Sequence, residues 1–265
     1  MHNYYYAIIL LLYMTKKPKP KKIFIKIVVA TAISLLTALL IFVGYFIYSY
    51  NNSIKADHGL LEQAKKSDSY QFHDTSDYIA LIPNSKSPTG IIVYPGAFAE
   101  PEGYASVFKL LAQKNVSVFI IKSPLNFALL NVGAASRIIN DNQNIKKWFV
   151  AGHSLGGVVA CEFAKSHKAS LSGLILLASH CNGSAVNLVL PVLSISATKD
   201  GINTTKDVEN SKSKLPVNTS YVVIKGGNHT QFGAFQKLQP SDGKADIDQS
   251  TQTDQIVSAI WNFIK

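Results

Sequence analysis

Cysteine is scarce in this sequence of 265 residues, with only Cys161 and Cys181 present. Two cysteines so placed form neither a metal-binding spacing nor a disulfide framework. Small domains stabilised by a bound metal or by several disulfides are therefore excluded. We expect the two thiols to stay unpaired, because Cys161 falls within a predicted helix and Cys181 at the end of a predicted strand. The sequence also lacks an internal repeat, which excludes a repeat architecture.

Acidic residues are few as well, with 16 Asp and Glu against 26 Lys and Arg, and the net charge is +10. The first 58 residues contain seven lysines and one acid, whereas the rest of the chain contains 19 basic and 15 acidic residues. A nucleic-acid-binding protein needs a basic patch on its folded domain. The basic excess lies mostly near the N-terminus, so we expect no nucleic-acid partner.

Charge is absent from Ile27 to Tyr48, a run of 22 residues. As a helix this run would be about 33 Å long, which is enough to cross a bilayer. A buried core helix is rarely apolar on every face over this length, and a cleaved signal peptide would end in small residues rather than aromatic ones. We therefore interpret the run as an uncleaved signal anchor that crosses the lipid bilayer.

The lysines around this anchor predict its orientation. Six lysines lie just before it and three lie within about 20 residues after it, and the lysine-rich side stays cytoplasmic. We expect a single-pass protein of the cell membrane whose remaining chain is extracytoplasmic. The apolar stretch from Tyr4 to Met14 is too short to span. Translation from Met14 is favoured over Met1, because it gives a short basic region followed by an apolar helix.

Three regions follow from these patterns. Residues 1–50 form the basic N-terminus and the anchor, residues 51–76 a polar linker with one short helix around 59–66, and residues 77–265 the main domain. In that domain short hydrophobic strands alternate with helical segments, which predicts an α/β fold with a mostly parallel sheet covered on both faces. The predicted strands are "YIALIP", "GIIVYPG", "VSVFIIK", "KWFVAG", "LSGLILLAS", "LPVLSIS" and "SYVVIKGG". The predicted helices are "YASVFKLLAQK", "FALLNVGAASRIIND", "GGVVACEFAKSH", "TKDVENSKSKL" and "QTDQIVSAIWNFI".

A serine between glycines is the main chemical signal. Residues 152–156 read Gly-His-Ser-Leu-Gly, which matches the G-x-S-x-G pattern of a nucleophile elbow, and a strand precedes it while a helix follows. A glycine-rich turn that contains a serine by chance is the alternative. Strand–turn–helix context favours a nucleophile at Ser154, since side chains at positions 152 and 156 would collide with so sharp a turn.

A serine hydroxyl needs a base, and the base needs an acid to orient it. Asp200 follows the strand "LPVLSIS" and His229 follows the strand "YVVIKGG". Both lie where the carboxyl edge of the sheet is expected, in the order Ser, Asp, His. The rival acids Asp207 and Glu209 lie in a predicted helix, where we expect their carboxylates to face solvent.

The remaining site residues are predicted from their neighbours. The backbone N–H of Leu155 and that of Ala97 are expected to form an oxyanion hole, with Phe98 as the second choice to Ala97. The alternative is that "YPGAF" is only a turn. His153 and His180, together with Phe98, are expected to line the site.

The pieces "VYPGAFAEPEGYA", "GHSLGG", "GLILLAS", "SATKDG", "GGNHTQFG" and "DGKADI" carry a family resemblance. The chain resembles the α/β-hydrolases, and within them a bacterial group similar to dienelactone-hydrolase-like proteins. The resemblance covers about two-thirds of the chain and implies the α/β-hydrolase fold, with Ser154 as nucleophile, Asp200 as acid and His229 as base. Many dienelactone hydrolases use cysteine as nucleophile, so the serine here favours an ordinary ester or a related acyl bond.

The expected activity is therefore that of a carboxylesterase-like serine hydrolase that acts on a small-molecule ester and needs no cofactor or metal. A thioesterase or peptidase with the same triad stays open, as does a non-catalytic binding module on a hydrolase scaffold. Only about ten residues, "HCNGSAVNLV", follow the strand after which a lid is usually inserted. A large cap domain is not expected, and short-chain substrates are favoured.

Overall fold

The computed structural model describes residues 20–265. The apolar stretch from Tyr4 to Met14, both proposed start sites and the first three lysines lie outside the described residues. The described chain forms two compact units that divide between Ser49 and Tyr50. The first unit consists of the long helix α1 (Pro20–Asn51), whose last two residues belong to the second unit.

Helix α1 has the length and composition of a membrane span. Its most apolar stretch has a mean hydropathy of 2.6, and none of that stretch is buried inside the protein. An isolated helix with apolar side chains on every face has no core of its own to bury them in. The predicted apolar helix is therefore present, and it is long and apolar enough to cross a membrane.

The second unit contains one sheet of eight strands with the order β1-β2-β4-β3-β5-β6-β7-β8. Strands β1 and β2 run antiparallel to their neighbours, and the other pairings are parallel. The strands are β1 Tyr70–Asp74, β2 Tyr78–Pro83, β3 Thr89–Tyr94, β4 Ser117–Ile121, β5 Lys147–His153, β6 Gly173–Leu177, β7 Val192–Ala197 and β8 Ser220–Ile224. The helices of this unit are α2 His58–Lys65, α3 Glu102–Ala112, α4 Ala134–Asp141, α5 Leu155–Ser166, α6 Thr205–Ser211 and α7 Gln249–Ile264.

Helices cover both faces of the sheet, as the alternating pattern predicts. One hydrophobic core includes Phe108 of α3 and Ile260 of α7, and the other includes Ile138 of α4 and Phe163 of α5. Strands β3 to β7 are almost wholly buried because a parallel sheet with helices on both sides exposes neither face. The carboxyl ends of the parallel strands therefore meet at one edge, where ligand sites form.

Residues 51–76 are part of this folded unit, so the interpretation of this segment as a linker is wrong. Helix α2 confirms the short helix expected there, but strand β1 was not expected. The Tyr70 ring is buried and its hydroxyl donates to the Ala64 carbonyl at 2.6 Å. Strand β1 lies at an edge of the sheet and buries few of its side chains, which explains its polar sequence.

The expectation of two unpaired cysteines is also contradicted. Cys161 of α5 and Cys181 form a disulfide, with their Cα atoms 5.5 Å apart and both side chains fully buried. The chain after β6 turns at Ala178, where φ is 45°, and returns to the side of α5 instead of staying at the edge of the sheet.

The predicted helix over "FALLNVGAASRIIND" is shorter than expected, because two 3₁₀ turns precede α4.

Candidate functional site

The candidate nucleophile Ser154 lies in a sharp turn between β5 and α5, with φ 53° and ψ −125°. The turn brings backbone atoms so close that glycine is required on each side of the serine. A Cβ on Gly152 would lie 2.2 Å from the Gly156 carbonyl oxygen, and one on Gly156 would lie 2.1 Å from the Tyr94 carbonyl oxygen. Such a turn presents the serine hydroxyl, and Ser154 is partly exposed.

Neighbouring backbone and hydroxyl groups fix this turn to strand β6. The Ser154 N–H donates to the Leu177 carbonyl at 3.0 Å, and the Ser179 hydroxyl donates to the Ser154 carbonyl at 2.6 Å. The position of the serine is therefore set by backbone contacts on both of its peptide groups.

Asp200 and His229 form a buried pair at the same edge of the sheet. The His229 ring is fully buried, and its Nδ1 lies 2.8 Å from Asp200 Oδ2. Asp200 Oδ1 accepts from the N–H groups of Ile202 and Asn203 at 2.8 and 2.7 Å. A carboxylate that accepts from Nδ1–H fixes the neutral imidazole with its proton on Nδ1, so the lone pair lies on Nε2.

His229 Nε2 is buried and has no hydrogen-bond partner among the described residues. A buried ring nitrogen with an unused lone pair is what a general base requires. Between residues 20 and 265, no hydrogen bond joins the Ser154 hydroxyl to this nitrogen. The ring of His153, the residue before the serine, nevertheless lies 4.4 Å from the His229 ring. The elbow and the Asp200–His229 pair therefore occupy one site.

The rival acid Asp207 has a different role, as its position in a helix predicts. Its carboxylate accepts from the N–H and the hydroxyl of Thr204, and so caps the N-terminus of α6. These hydrogen bonds lower the pKa of Asp207.

His153 is buried and supports the site instead of lining an open cleft. Its Nδ1 lies 2.8 Å from the Tyr104 hydroxyl, and its ring stacks on Phe232. The Tyr104 hydroxyl also accepts from the Gly96 N–H at 2.9 Å, so its own proton is free for His153 Nδ1. Burial lowers the pKa of His153 well below its usual range, and the neighbouring His229 lowers it further. His153 therefore stays neutral in the folded chain.

The backbone N–H groups predicted for the oxyanion hole, those of Ala97 and Leu155, differ in their hydrogen bonding from the alternative N–H of Phe98. The Phe98 N–H donates to the Asn126 carbonyl at 2.8 Å, so this N–H is already occupied and Phe98 is excluded as the donor. In the described part of the chain, the N–H groups of Ala97 and Leu155 donate no hydrogen bond to another residue. Phe98 packs on Phe127 with ring centroids 5.4 Å apart. His180, the other predicted lining residue, is partly exposed after β6.

Sequence reasoning missed the residues that hold the His229 loop. Gln252 of α7 is fully buried, and its side chain forms two hydrogen bonds with the Asn228 backbone, at 2.9 and 2.8 Å. Asp242 accepts hydrogen bonds from this loop and from the Asp200 loop. The stretch "DGKADI" contains Asp242. It is one of the stretches that carry the family resemblance, but the resemblance implies no role for this residue.

Comparisons with known proteins support the fold described above. A model of the "Alpha/beta hydrolase family" matches residues 90–254, and no curated protein sequence matches the chain significantly. A dienelactone hydrolase from Anabaena variabilis ATCC 29413 has a similar structure, with a TM-score of 0.54 and 14% identity over 74% of this chain and 100% of that one. A "predicted CIB-like hydrolase" from Thermoplasma acidophilum has a TM-score of 0.53 and 12% identity, over 73% of this chain and 97% of that one.

Proposed function

Because the chain belongs to the α/β-hydrolase family, we propose that it is a serine hydrolase that cleaves a small ester or related acyl substrate. Ser154 is the nucleophile, His229 the base and Asp200 the acid that orients it. One observation carries the proposal: the buried Asp200–His229 pair leaves a lone pair on Nε2 beside a strained serine turn. A serine, an imidazole and a carboxylate so arranged are the minimal groups for acyl transfer.

The reaction has two steps. As the Ser154 oxygen bonds to the substrate carbonyl carbon, its proton passes to His229 Nε2, and the carbonyl oxygen becomes an oxyanion. The N–H groups of Ala97 and Leu155 bind that oxyanion. The alcohol leaves with the proton from His229, and water then cleaves the acyl-enzyme with His229 again as base. Asp200 stabilises the imidazolium formed in each step.

The direct test is labelling with a fluorophosphonate, applied to the full-length chain in detergent. Wild type should carry one label, and Ser154→Ala should carry none while keeping its fold. Ser184→Ala, at an exposed serine on the loop after β6, is the matched control and should label like wild type. A Ser154→Ala chain that still labelled, or that kept wild-type turnover, would remove Ser154 as nucleophile.

The substrate is proposed to be small because no helix covers the site between β6 and β7. The segment from residue 178 to residue 191 contains only turns and the short return to α5. We expect esters with about two to four acyl carbons to react faster than long-chain esters. A chain-length series of nitrophenyl esters measures this, with thioester, peptide and dienelactone substrates in the same panel. A rate maximum at long acyl chains would contradict the proposal.

The protein is proposed to be anchored in the cell membrane through α1, with the hydrolase unit outside. The Cys161–Cys181 disulfide supports an exported unit, since disulfides persist in oxidising compartments. Protease added to intact protoplasts should digest the hydrolase unit. Digestion only after lysis would reverse the orientation.

A further inference from the structure

Asp242 lies on the segment between β8 and α7, and both of its carboxylate oxygens accept hydrogen bonds. Oδ1 accepts from the backbone N–H groups of Gly201, His229 and Gly243 at 3.1, 3.2 and 2.8 Å. Oδ2 accepts from the N–H of Thr230 at 2.7 Å and from its hydroxyl at 2.6 Å. Every partner is a donor, so the site is built for an ionised carboxylate.

These partners belong to the two loops that carry the acid and the base. Gly201 directly follows Asp200 on the loop after β7, whereas His229 and Thr230 lie on the loop after β8. The segment of Asp242 also touches the acid loop directly, because a Cβ on Gly243 would lie 2.1 Å from the Lys199 carbonyl oxygen. One carboxylate therefore links the tips of the two loops. Nearer their strands the loops are also joined by hydrogen bonds from the Lys199 N–H to the Gly227 carbonyl and from the Gly226 N–H to the Thr198 hydroxyl, both at 2.8 Å.

We propose that Asp242 is a positioning residue that holds Asp200 and His229 at the distance needed for their hydrogen bond. This inference rests on the proposed triad. The 2.8 Å contact between Asp200 Oδ2 and His229 Nδ1 joins the tips of two loops, and its length depends on how those tips are held. Hydrogen bonds from the backbone N–H groups of both tips to one carboxylate fix that separation without touching substrate.

Asp242→Asn is the sharpest perturbation, because it keeps the shape of the side chain. One side of the amide is an NH₂ group, which faces backbone N–H donors whichever way the amide is turned. The loops must then move apart on that side. We expect kcat to fall by about 100-fold, the effect of a displacement of about 1 Å in a catalytic geometry, with little change in KM. Asp246→Asn is the matched control, because this exposed acid of the same segment only pairs with Lys199.

Two further measurements separate positioning from a general loss of stability. The proton NMR spectrum of the full-length chain should contain a strongly downfield imidazole Nδ1 proton in wild type and in Asp246→Asn. Asp242→Asn should lose it. In the Asp200→Asn background, Asp242→Asn should have little further effect on kcat, since the contact that it positions is already gone.

The outcomes are distinct. A wild-type chain that neither labels nor turns over substrate refutes the proposed function, while the NMR signal still reports whether Asp242 holds the pair. An unchanged signal and unchanged kcat in Asp242→Asn overturn the positioning role, and so does an undiminished effect in the Asp200→Asn background. If Asp242→Asn does not fold, Thr230→Val removes one of the five hydrogen bonds, and a weakened downfield signal is then expected. An unchanged signal in folded Thr230→Val overturns the role.

Discussion

Replacing Tyr104 by Phe removes one hydroxyl from the interior of the candidate site. The ring is fully buried and packs edge-to-face on Phe235, so Phe keeps the packing. The loss leaves two buried groups without their partner, the Gly96 N–H and His153 Nδ1. At about 1–3 kcal/mol for each unsatisfied buried group, the free energy of unfolding should fall by about 2–6 kcal/mol.

The same change should also reduce catalysis, because Gly96 precedes the proposed oxyanion donor Ala97. Removal of an oxyanion donor costs about 10²–10³ in kcat, and a displaced donor costs less. We therefore expect kcat to fall about tenfold in Tyr104→Phe, with KM nearly unchanged.

Urea unfolding followed by near-UV circular dichroism measures the first effect, and ester hydrolysis by the full-length chain measures the second. Tyr70→Phe is the matched control, because Tyr70 is a buried tyrosine whose hydroxyl donates to the Ala64 carbonyl. This control leaves one buried group unsatisfied, so it should lose about 1–3 kcal/mol of stability and keep its kcat. If Tyr104→Phe behaved like Tyr70→Phe in both assays, the hydroxyl would not hold the oxyanion loop.

The disulfide and the buried histidine give two further predictions. Thiol titration of the unfolded, unreduced chain should find no free sulfhydryl. Cys181→Ser should lower the free energy of unfolding by about 3 kcal/mol, as expected for closing a loop of this length. Two titratable thiols would refute the pairing of Cys161 with Cys181. Because burial lowers the pKa of His153 in the folded state, the unfolded chain alone binds this proton at acid pH. Stability should therefore fall as pH drops below about 6.5, by up to about 1.4 kcal/mol per pH unit from this group, and His153→Gln should flatten that slope in urea titrations at pH 5 to 7.

The fold follows from local patterns wherever an element contains an apolar run. Strands β2 to β8 are apolar runs bounded by turn residues, so their existence could be predicted from the sequence. Strand β1 could not, because "YQFHD" has the polar composition of a linker, whereas β8, the strand at the other edge, keeps an apolar run. The disulfide was missed for a related reason, since the reversal at Ala178 is a positive-φ turn at a residue that gives no signal for one.

The candidate site also contains residues that the local sequence predicts and residues that it does not. The elbow around Ser154 is a local feature, and the positions of Asp200 and His229 follow from the ends of their strands. Their supports come from distant segments, as Asp242 and Gln252 illustrate, and a polar side chain that bonds a distant backbone leaves no periodic pattern in sequence. Family resemblance could point to such residues, but only the structure assigns them partners.

The proposed nucleophile and the proposed acid–base pair are therefore held by different contacts. The Ser154 turn is fixed by backbone sterics, since the glycines around it leave no room for a side chain, and by the hydrogen bonds of its two peptide groups. The loops of Asp200 and His229 are held by hydrogen bonds to side chains outside the strands, each of which can change by one substitution. Substitutions of Gly152 or Gly156 should act by collision and cost the fold as well as the activity. Changes at Asp242 or Gln252 should instead shift the alignment of His229 gradually, while the backbone around Ser154 stays in place.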